Sequence, residues 1–260
     1  MGAQFRIVLI LAALAAAPSL GSTCLAQTAT PENTGPNTNI VRWAKGTYAY
    51  QTISDKRARG SERFYLNVHP DGSRSMIMWH DLAARNAQFS VMLRVAANFR
   101  PLEAYATYWT APGYKGSALM TVAGDTLSIV SNGPLGVKTD TVKVPERFSI
   151  GTHPVSGDGW HMWYETADLK GPQKDGMIYS MEASADNTKP VMGTLRPLVF
   201  ERIGPEKITV PAGTFETVRY KLSEVADMWV LPQDRLTVRQ TNTLRDLDYV
   251  LTEYAAGGAK

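Results

Sequence analysis

The sequence predicts an all-β protein: a curved antiparallel sheet or a partly closed β-barrel, lipocalin-like in general shape, with very little helix. Short segments alternate apolar and polar residues with the period of two that is typical of a strand with one buried face. Turns rich in Gly, Pro and Asp separate these segments at short intervals, as in sandwiches and barrels. Helical periodicity is scarce, and its best case is residues 81–86, where Asp81 is suited to cap one helical turn.

The first half of the chain shows the alternation most clearly in residues 88–97, where Phe89, Val91 and Leu93 share one face. Residues 69–72, His-Pro-Asp-Gly, have the composition of a tight turn, because Pro fixes φ and Gly tolerates a positive φ. The strands predicted up to residue 144 are 47–53, 63–68, 73–79, 88–97, 103–109, 119–122, 126–130 and 141–144.

The second half is organised around a hairpin with one strand at residues 206–210 and the other at residues 215–222. Between them, Pro211 suits the first corner of a tight turn and Gly213 permits the chain to bend back. The other strands predicted here are 159–166, 176–183, 194–202, 228–231, 236–242 and 249–253. Long loops, which in a barrel would rim its mouth, are predicted at 111–117, 145–158 and 168–175.

This hairpin and two short segments after it also resemble the sequences of a known family. Residues 210–217 read Val-Pro-Ala-Gly-Thr-Phe-Glu-Thr and are followed by Met-Trp-Val at 228–230 and Arg-Leu-Thr-Val-Arg at 235–239. This last quarter of the chain resembles a family of uncharacterised secreted bacterial β-proteins of the domain-of-unknown-function type. The resemblance implies a curved antiparallel sheet or open barrel in the cell envelope, and it implies no catalytic residues.

The N-terminus predicts export. Arg6 precedes an apolar run at residues 7–17, and Cys24-Leu25-Ala26 offers small residues for cleavage after Ala26. A periplasmic or secreted localisation is therefore predicted. Lipidation of Cys24 is the less favoured alternative, because the residues before it depart from a lipobox. The predicted organisation is a signal peptide at 1–26, a flexible leader at 27–40, one β-barrel-like domain at 41–255 and a flexible tail at 256–260.

Composition excludes several classes of function. The chain has 27 Lys and Arg against 24 Asp and Glu, a near balance that argues against a nucleic-acid partner. Cleavage would remove Cys24, the single cysteine, so no disulfide or thiolate nucleophile is predicted. No metal motif, phosphate loop or G-x-S-x-G sequence occurs, so neither a metal nor a cofactor is predicted. After the signal peptide, no segment is long and apolar enough to be a transmembrane segment.

Two histidines are the candidate site residues. On a predicted strand, Met78 and His80 share a face, and on another His161, Trp163 and Glu165 share a face. If both faces line a barrel lumen, they form an apolar pocket with a few orienting polar groups. The predicted ligand-binding residues are Met78, His80, Trp109, His161 and Trp163.

The same lumen could support acid–base chemistry, since His titrates near neutral pH and Glu165 could hold the tautomer of His161. The favoured interpretation is nevertheless that His80 and His161 are ordinary part-buried histidines satisfied by their neighbours. His69 and His153 are predicted to be surface residues.

Three functions follow from these observations. The first is a periplasmic or secreted binding or carrier protein for an apolar or amphipathic small molecule. The second is a cofactor-free enzyme of the lyase, isomerase or hydratase kind, with His80, His161 and Glu165 as catalytic candidates. The third is a structural or assembly factor of the cell envelope that acts through an exposed sheet edge or apolar patch. The oligomeric state is left open.

Overall fold

A computed structural model describes residues 39–182 and 184–258. Of the described residues, 64% are in strands and 5% in helices, and they form a curved open sheet, which confirms the predicted all-β fold. The predicted signal peptide, nearly all of the predicted leader and the last two residues of the tail lie outside the described residues.

Fifteen strands make up the sheet in the described part of the chain. They are β1 (Arg42–Gln51), β2 (Ala58–Val68), β3 (Arg74–Leu82), β4 (Ala87–Val95), β5 (Pro101–Thr110), β6 (Gly113–Ala123), β7 (Thr126–Gly133), β8 (Gly136–Lys143), β9 (Phe148–Gly151), β10 (Gln173–Met181), β11 (Gly193–Val210), β12 (Gly213–Ser223), β13 (Ala226–Val230), β14 (Thr237–Asn242) and β15 (Leu247–Gly258). Two short 3₁₀ helices, Ala83–Arg85 and Val155–Met162, interrupt them.

The strand order explains how the sheet curls. It runs β8-β7-β6-β5-β4-β3-β2-β1-β15-β14-β13-β12-β11-β10-β9, so that β15 pairs with β1 and joins the two halves of the chain. All pairs are antiparallel except β9 with β10. The terminal strands β8 and β9 do not pair with each other, so the barrel is open. Strand β9 instead packs against β5, which shows that the sheet curls over itself.

The space inside the curl is filled. Inward side chains such as Leu66, Met76 and Phe89 are almost completely buried, as their alternation predicts. Val155 and Trp160 of the longer 3₁₀ helix belong to the same apolar cluster. The face that was expected to line an apolar lumen therefore lies in a packed core to which this helix contributes.

The prediction of a strand at residues 159–166 is wrong, because the helix Val155–Met162 occupies this region. Its first turn is held by a distant residue: the backbone N–H groups of Val155 and Ser156 donate to the carboxylate of Glu62 at 2.6 and 3.1 Å. A cap supplied by another strand cannot be seen in the local pattern of residues.

The hairpin lies where it was predicted. Val210 of β11 pairs with Gly213 of β12, and Pro211 and Ala212 make the turn. Gly213 has φ of +136°, a conformation that favours glycine. Strand β15 continues to Gly258, three residues beyond the predicted end of the domain at 255.

Candidate functional site

A cavity of about 130 Å³ opens at one end of the curled sheet. It forms where the end of β1, the start of β2, the end of β3 and the turn before β15 meet the segment that precedes the longer helix. It is lined by Tyr50, Arg59, His80, Leu82, Ala84, Arg85, His153, Arg245, Leu247 and Tyr249.

His80 is the buried polar residue of this cavity. It points inward because it is in phase with the buried residues Met76 and Met78 on β3, and it is only 3% exposed. Its ring lies 4.7 Å from that of Tyr50 and 5.9 Å from that of Phe89. Within the described residues, neither ring nitrogen has a hydrogen-bond partner. A buried polar group without a partner costs about 1–3 kcal/mol, so this arrangement calls for an explanation.

The protonation state of His80 follows from its surroundings. Burial lowers its pKa to about 3, and the nearby His153 and Arg85 act in the same direction. The imidazole is therefore neutral at physiological pH, with one ring nitrogen as donor and the other as acceptor. It can bond a hydroxyl or a carbonyl group that enters the cavity.

His153 also lines the cavity, so the prediction that it is a surface residue is wrong. It is half-buried, and its ring stacks on Phe89 with centroids 5.1 Å apart. Its Nε2 lies 2.8 Å from the carbonyl oxygen of Met181. Because a carbonyl only accepts, Nε2 carries the proton. Burial lowers the pKa of His153 as well.

Three arginines, Arg59, Arg85 and Arg245, give the mouth of the cavity a positive charge. Arg59 is half-buried and the other two are exposed. No carboxylate among the described residues forms an ion pair with any of them. All three act on Tyr249, where they oppose the rise in pKa that burial causes. They come from distant parts of the chain and converge on one opening.

Aromatic and aliphatic side chains form the walls. The rings of Tyr50 and Tyr249 lie 4.2 Å apart, and Leu82 and Leu247 complete the apolar surface. The site thus combines a cationic mouth, apolar walls and the neutral imidazole of His80, which has no hydrogen-bond partner among the described residues. These features suit a small molecule with an anionic group and an apolar body.

Glu62 lies beneath the cavity. It is fully buried and stands directly opposite His80 in the pairing of β2 with β3. The hydroxyl of Tyr50 donates to its carboxylate, as do the N–H groups of Val155 and Ser156. Burial raises the pKa of Glu62 to about 7, although these hydrogen bonds act in the opposite direction. A buried acid that titrates near neutral pH therefore touches a residue of the cavity wall.

His161 belongs to a different cluster. It lies on the longer 3₁₀ helix, where the hydroxyl of Ser149 donates to its Nδ1 at 2.5 Å and its Nε2 lies 3.2 Å from Asp158. This Ser-His-Asp chain ties the helix to β9. Ser149 is only 2% exposed, and it does not line the cavity. The hydroxyl of Ser149 is therefore buried and lies outside the lining of the cavity at His80.

Glu165 does not orient His161, so this part of the prediction is wrong. It accepts from the hydroxyl of Tyr220 at 2.6 Å and from Arg235 at 3.0 Å, and Arg202 lies 3.7 Å away. The period-two face that would join it to His161 is lost, because His161 lies on the 3₁₀ helix Val155–Met162 and Glu165 lies after its end.

The other predicted ligand-binding residues lie apart from the cavity. Met78 is completely buried in the apolar core. Trp163 is half-buried and donates its Nε1 hydrogen to the carbonyl oxygen of Phe148. Trp109 is 48% exposed, on the face of the sheet opposite the core. Of the five, His80 alone lines the cavity.

Comparisons with known proteins identify structural neighbours. The chain is similar to a β-barrel-like protein of domain of unknown function DUF1849 from Brucella abortus, with 8% identity and a TM-score of 0.47 over 84% of this chain and 99% of that chain. It is also similar to a DUF1089 family protein from Pseudomonas aeruginosa, with 10% identity and a TM-score of 0.33 over 68% of this chain and 87% of that chain. No family model and no curated protein matches the chain.

Both structural neighbours are described as proteins of domains of unknown function. Membership in the family that the hairpin resembles stays a prediction.

In the described part of the chain, no helix is long and apolar enough to cross a membrane. The same residues contain no group of three or more His, Cys, Asp or Glu side chains placed to hold a metal.

Sequence reasoning missed Glu62, Tyr50 and the three arginines. For Glu62 a signal exists, since it is in phase with Phe64, Leu66 and Val68 and so falls on the buried face of its strand. An acid on an apolar face is rarely buried unless it is paired. For the three arginines, the sequence does not predict that they line one cavity, because their proximity depends on the curl of the sheet.

Proposed function

We propose that this protein binds a small amphipathic organic anion in the cavity at His80. The ligand would place a carboxylate among Arg59, Arg85 and Arg245, its apolar body against Tyr50 and Tyr249, and a hydroxyl or carbonyl group on His80. The observation that carries the proposal is the buried imidazole of His80, which lines the cavity and whose two nitrogens have no partner among the described residues.

The size of the cavity limits the ligand. About 130 Å³ is well below the 300–1,000 Å³ of pockets for drug-sized ligands, so a molecule of about ten heavy atoms is the upper range. A neutral imidazole discriminates through one hydrogen bond, and unpaired guanidinium groups select a carboxylate, which they can bind bidentately. Together these requirements define a small hydroxy- or oxo-carboxylate.

Isothermal titration with three related probes tests this proposal. 4-Hydroxybenzoate is expected to bind, benzoate about tenfold more weakly because it lacks the hydroxyl, and 4-hydroxybenzyl alcohol at least tenfold more weakly because it lacks the charge. The variant His80→Phe should bind 4-hydroxybenzoate and benzoate equally, since the bond to the hydroxyl is gone. Pyruvate, an oxo-carboxylate, extends the test to smaller ligands.

Matched variants locate the binding site. Arg85→Gln and Arg245→Gln are each expected to weaken binding three- to tenfold, more strongly at low salt. Arg57→Gln is the control, because Arg57 is exposed on the same turn region but does not line the cavity. Trp109→Phe should also have no effect. If the three probes bind the wild type and the double variant Arg85→Gln/Arg245→Gln equally, or do not bind at all, the proposal is wrong.

A second candidate function, an acid–base enzyme, is favoured by Glu62. Its carboxyl group titrates near pH 7 and is bonded to Tyr50, whose ring lines the cavity. We infer that Tyr50 would pass a proton between Glu62 and a bound oxo-acid. Incubation of pyruvate in deuterated buffer tests this, with NMR as the readout. Exchange of the methyl protons that is faster than in buffer and is lost in Glu62→Gln supports the enzyme. Equal exchange with and without protein excludes it for this substrate.

We also propose that the protein is exported, on the basis of the apolar run at residues 7–17 and the small residues before Gln27. Cell fractionation followed by N-terminal sequencing tests this proposal. A mature protein that begins at Gln27 in the periplasmic or secreted fraction is the expected result. A cytoplasmic protein that retains residues 1–26 would contradict it.

A further inference from the structure

A second concave site lies on the face of the sheet opposite the core. It is a groove of about 560 Å³ between β15 and the strands β1, β2 and β3. It shares no lining residue with the cavity at His80. Its volume falls within the range of small-molecule binding sites.

The walls of the groove are apolar although they face solvent. Tyr65 is 38% exposed, Ile77 is 43% exposed and Trp79 is 40% exposed. On the solvent face of an antiparallel sheet, polar side chains are the norm. A cluster of large exposed apolar residues therefore indicates a surface that binds a ligand, a membrane or another protein.

The apolar surface extends along the sheet from the groove. Strand register places Ile77 opposite Met92, Met92 opposite Tyr105, and Tyr105 opposite Leu119. Tyr105 and Leu119 are each 42% exposed. The resulting line of apolar side chains is narrow and crosses four strands, which matches a chain-like occupant better than a broad protein surface.

Gly46 makes the floor of the groove. A Cβ atom at this position would lie 2.5 Å from the carbonyl oxygen of Glu253 and 2.7 Å from the ring of Phe64. The glycine thus lets β15 approach β1 and lets the groove reach Phe64, which is otherwise buried. The pairing of β1 with β15 also shifts register just after Gly46, between Thr47 and Tyr48.

Two cationic side chains, Lys45 and Arg63, line the groove. Lys45 lies 5.9 Å from the ring of Trp43, and the guanidinium of Arg63 lies 5.8 Å from the ring of Trp79. Among the described residues, neither forms an ion pair with a carboxylate. Glu253 also lines the groove, and its carboxylate accepts from the hydroxyl of Thr47 at 3.1 Å. The excess of positive charge suits an anionic group at one end of the occupant.

We infer that this groove binds an anionic amphiphile with a single acyl chain, of the fatty-acid type. The acyl chain lies on Tyr65, Ile77 and Trp79 and follows the apolar line toward Tyr105. The carboxylate pairs with Lys45 and Arg63. This inference is independent of the anion cavity at His80.

Quenching of tryptophan fluorescence by 9,10-dibromostearate, added below its critical micelle concentration, tests the inference. Bromine quenches on contact, so saturable quenching with one site per chain is expected. Trp79→Phe should remove most of the quenched signal while calorimetry shows that oleate still binds. Ile77→Asp should weaken binding about tenfold or more, since it places a charge under the acyl chain. The double variant Lys45→Glu/Arg63→Glu should weaken it at least fivefold.

Matched controls lie on β8, which is distant from the groove in strand order. Val137, on the same sheet face as the groove, is 62% exposed and is changed in Val137→Asp. Lys138→Glu reverses an exposed charge at the next position, whose side chain points to the other face. Both controls should retain affinity within twofold, and circular dichroism confirms that all variants are folded. His80→Phe should also leave oleate binding unchanged, which separates this site from the anion cavity.

Three outcomes would overturn the inference. One is quenching that persists unchanged in Ile77→Asp and in Lys45→Glu/Arg63→Glu. Another is binding to vesicles of phosphatidylglycerol without binding to monomeric oleate, which would identify the face as a membrane-binding surface. The third is a concentration-dependent dimer that Ile77→Asp dissociates and oleate does not affect, which would identify the occupant as a second copy of the chain.

Discussion

His80 and His161 are both buried in the same curled sheet, with exposures of 3% and 9%, yet their surroundings differ in one decisive respect. Both nitrogens of His161 have partners, Ser149 and Asp158, whereas neither nitrogen of His80 has one among the described residues. A satisfied histidine stabilises the fold. An unsatisfied one beside a cavity costs stability, and this cost indicates a role in binding. Burial alone does not distinguish the two.

The largest expected effect is the loss of stability in acid that His80 causes. The pKa of His80 is lowered from 6.5 to about 3, so below pH 6.5 the unfolded chain binds a proton that the folded protein does not. With respect to His80, stability is therefore highest above pH 6.5 and falls as the pH falls toward 3, by about 5 kcal/mol in total. Urea unfolding at several pH values measures this. His80→Phe should lack this part of the acid loss, and equal acid loss in both proteins would contradict it.

Glu62 should give the opposite pH dependence. Its pKa is raised from 4.5 to about 7, so between these values the folded protein binds a proton that the unfolded chain does not. Folding is therefore favoured by protonation, and stability falls by about 3 kcal/mol as the pH rises from 4.5 to 7. Glu62→Gln should lack this slope, because its side chain does not ionise. A variant that keeps the full slope would show that another group causes it.

Matched substitutions at the two histidines should give a smaller but sharper contrast. His161→Phe leaves Ser149 and Asp158 without their partner and is expected to lower the free energy of unfolding by about 2–3 kcal/mol at pH 8. His80→Phe breaks no hydrogen bond with a described residue and removes a buried polar group that has no partner among them, so it should raise the free energy of unfolding by about 1 kcal/mol. Urea unfolding of both variants in the same buffer measures the difference. Equal destabilisation would remove the distinction between a structural and a binding histidine.

Several features followed from local pattern. The alternation in residues 88–97 placed Phe89, Val91 and Leu93 on one face, and these residues are buried on β4. The turn at Pro211 and Ala212 was evident because its residues have restricted or permissive φ angles. The inward direction of His80 followed from the same period of two. In each case the controlling interactions lie within a few residues of one another.

The pattern failed where distant contacts decide the structure. Residues 159–166 alternate well enough for a strand, but Glu62 caps a helix that begins at Val155. His153 looked like an exposed loop residue, but its ring stacks on Phe89, far away in the chain. Local propensity is a weak guide when a tertiary contact of this kind competes with it.

The sequence by itself determined the class of fold, the hairpin and the faces of most strands, because a strand's two faces are set by a period that any short segment displays. The tertiary structure alone decided that the sheet stays open, that a 3₁₀ helix fills its interior, and that Arg59, Arg85 and Arg245 meet above His80. These outcomes depend on how far the sheet curls and on which distant groups satisfy one another, and no segment of the chain carries that information alone.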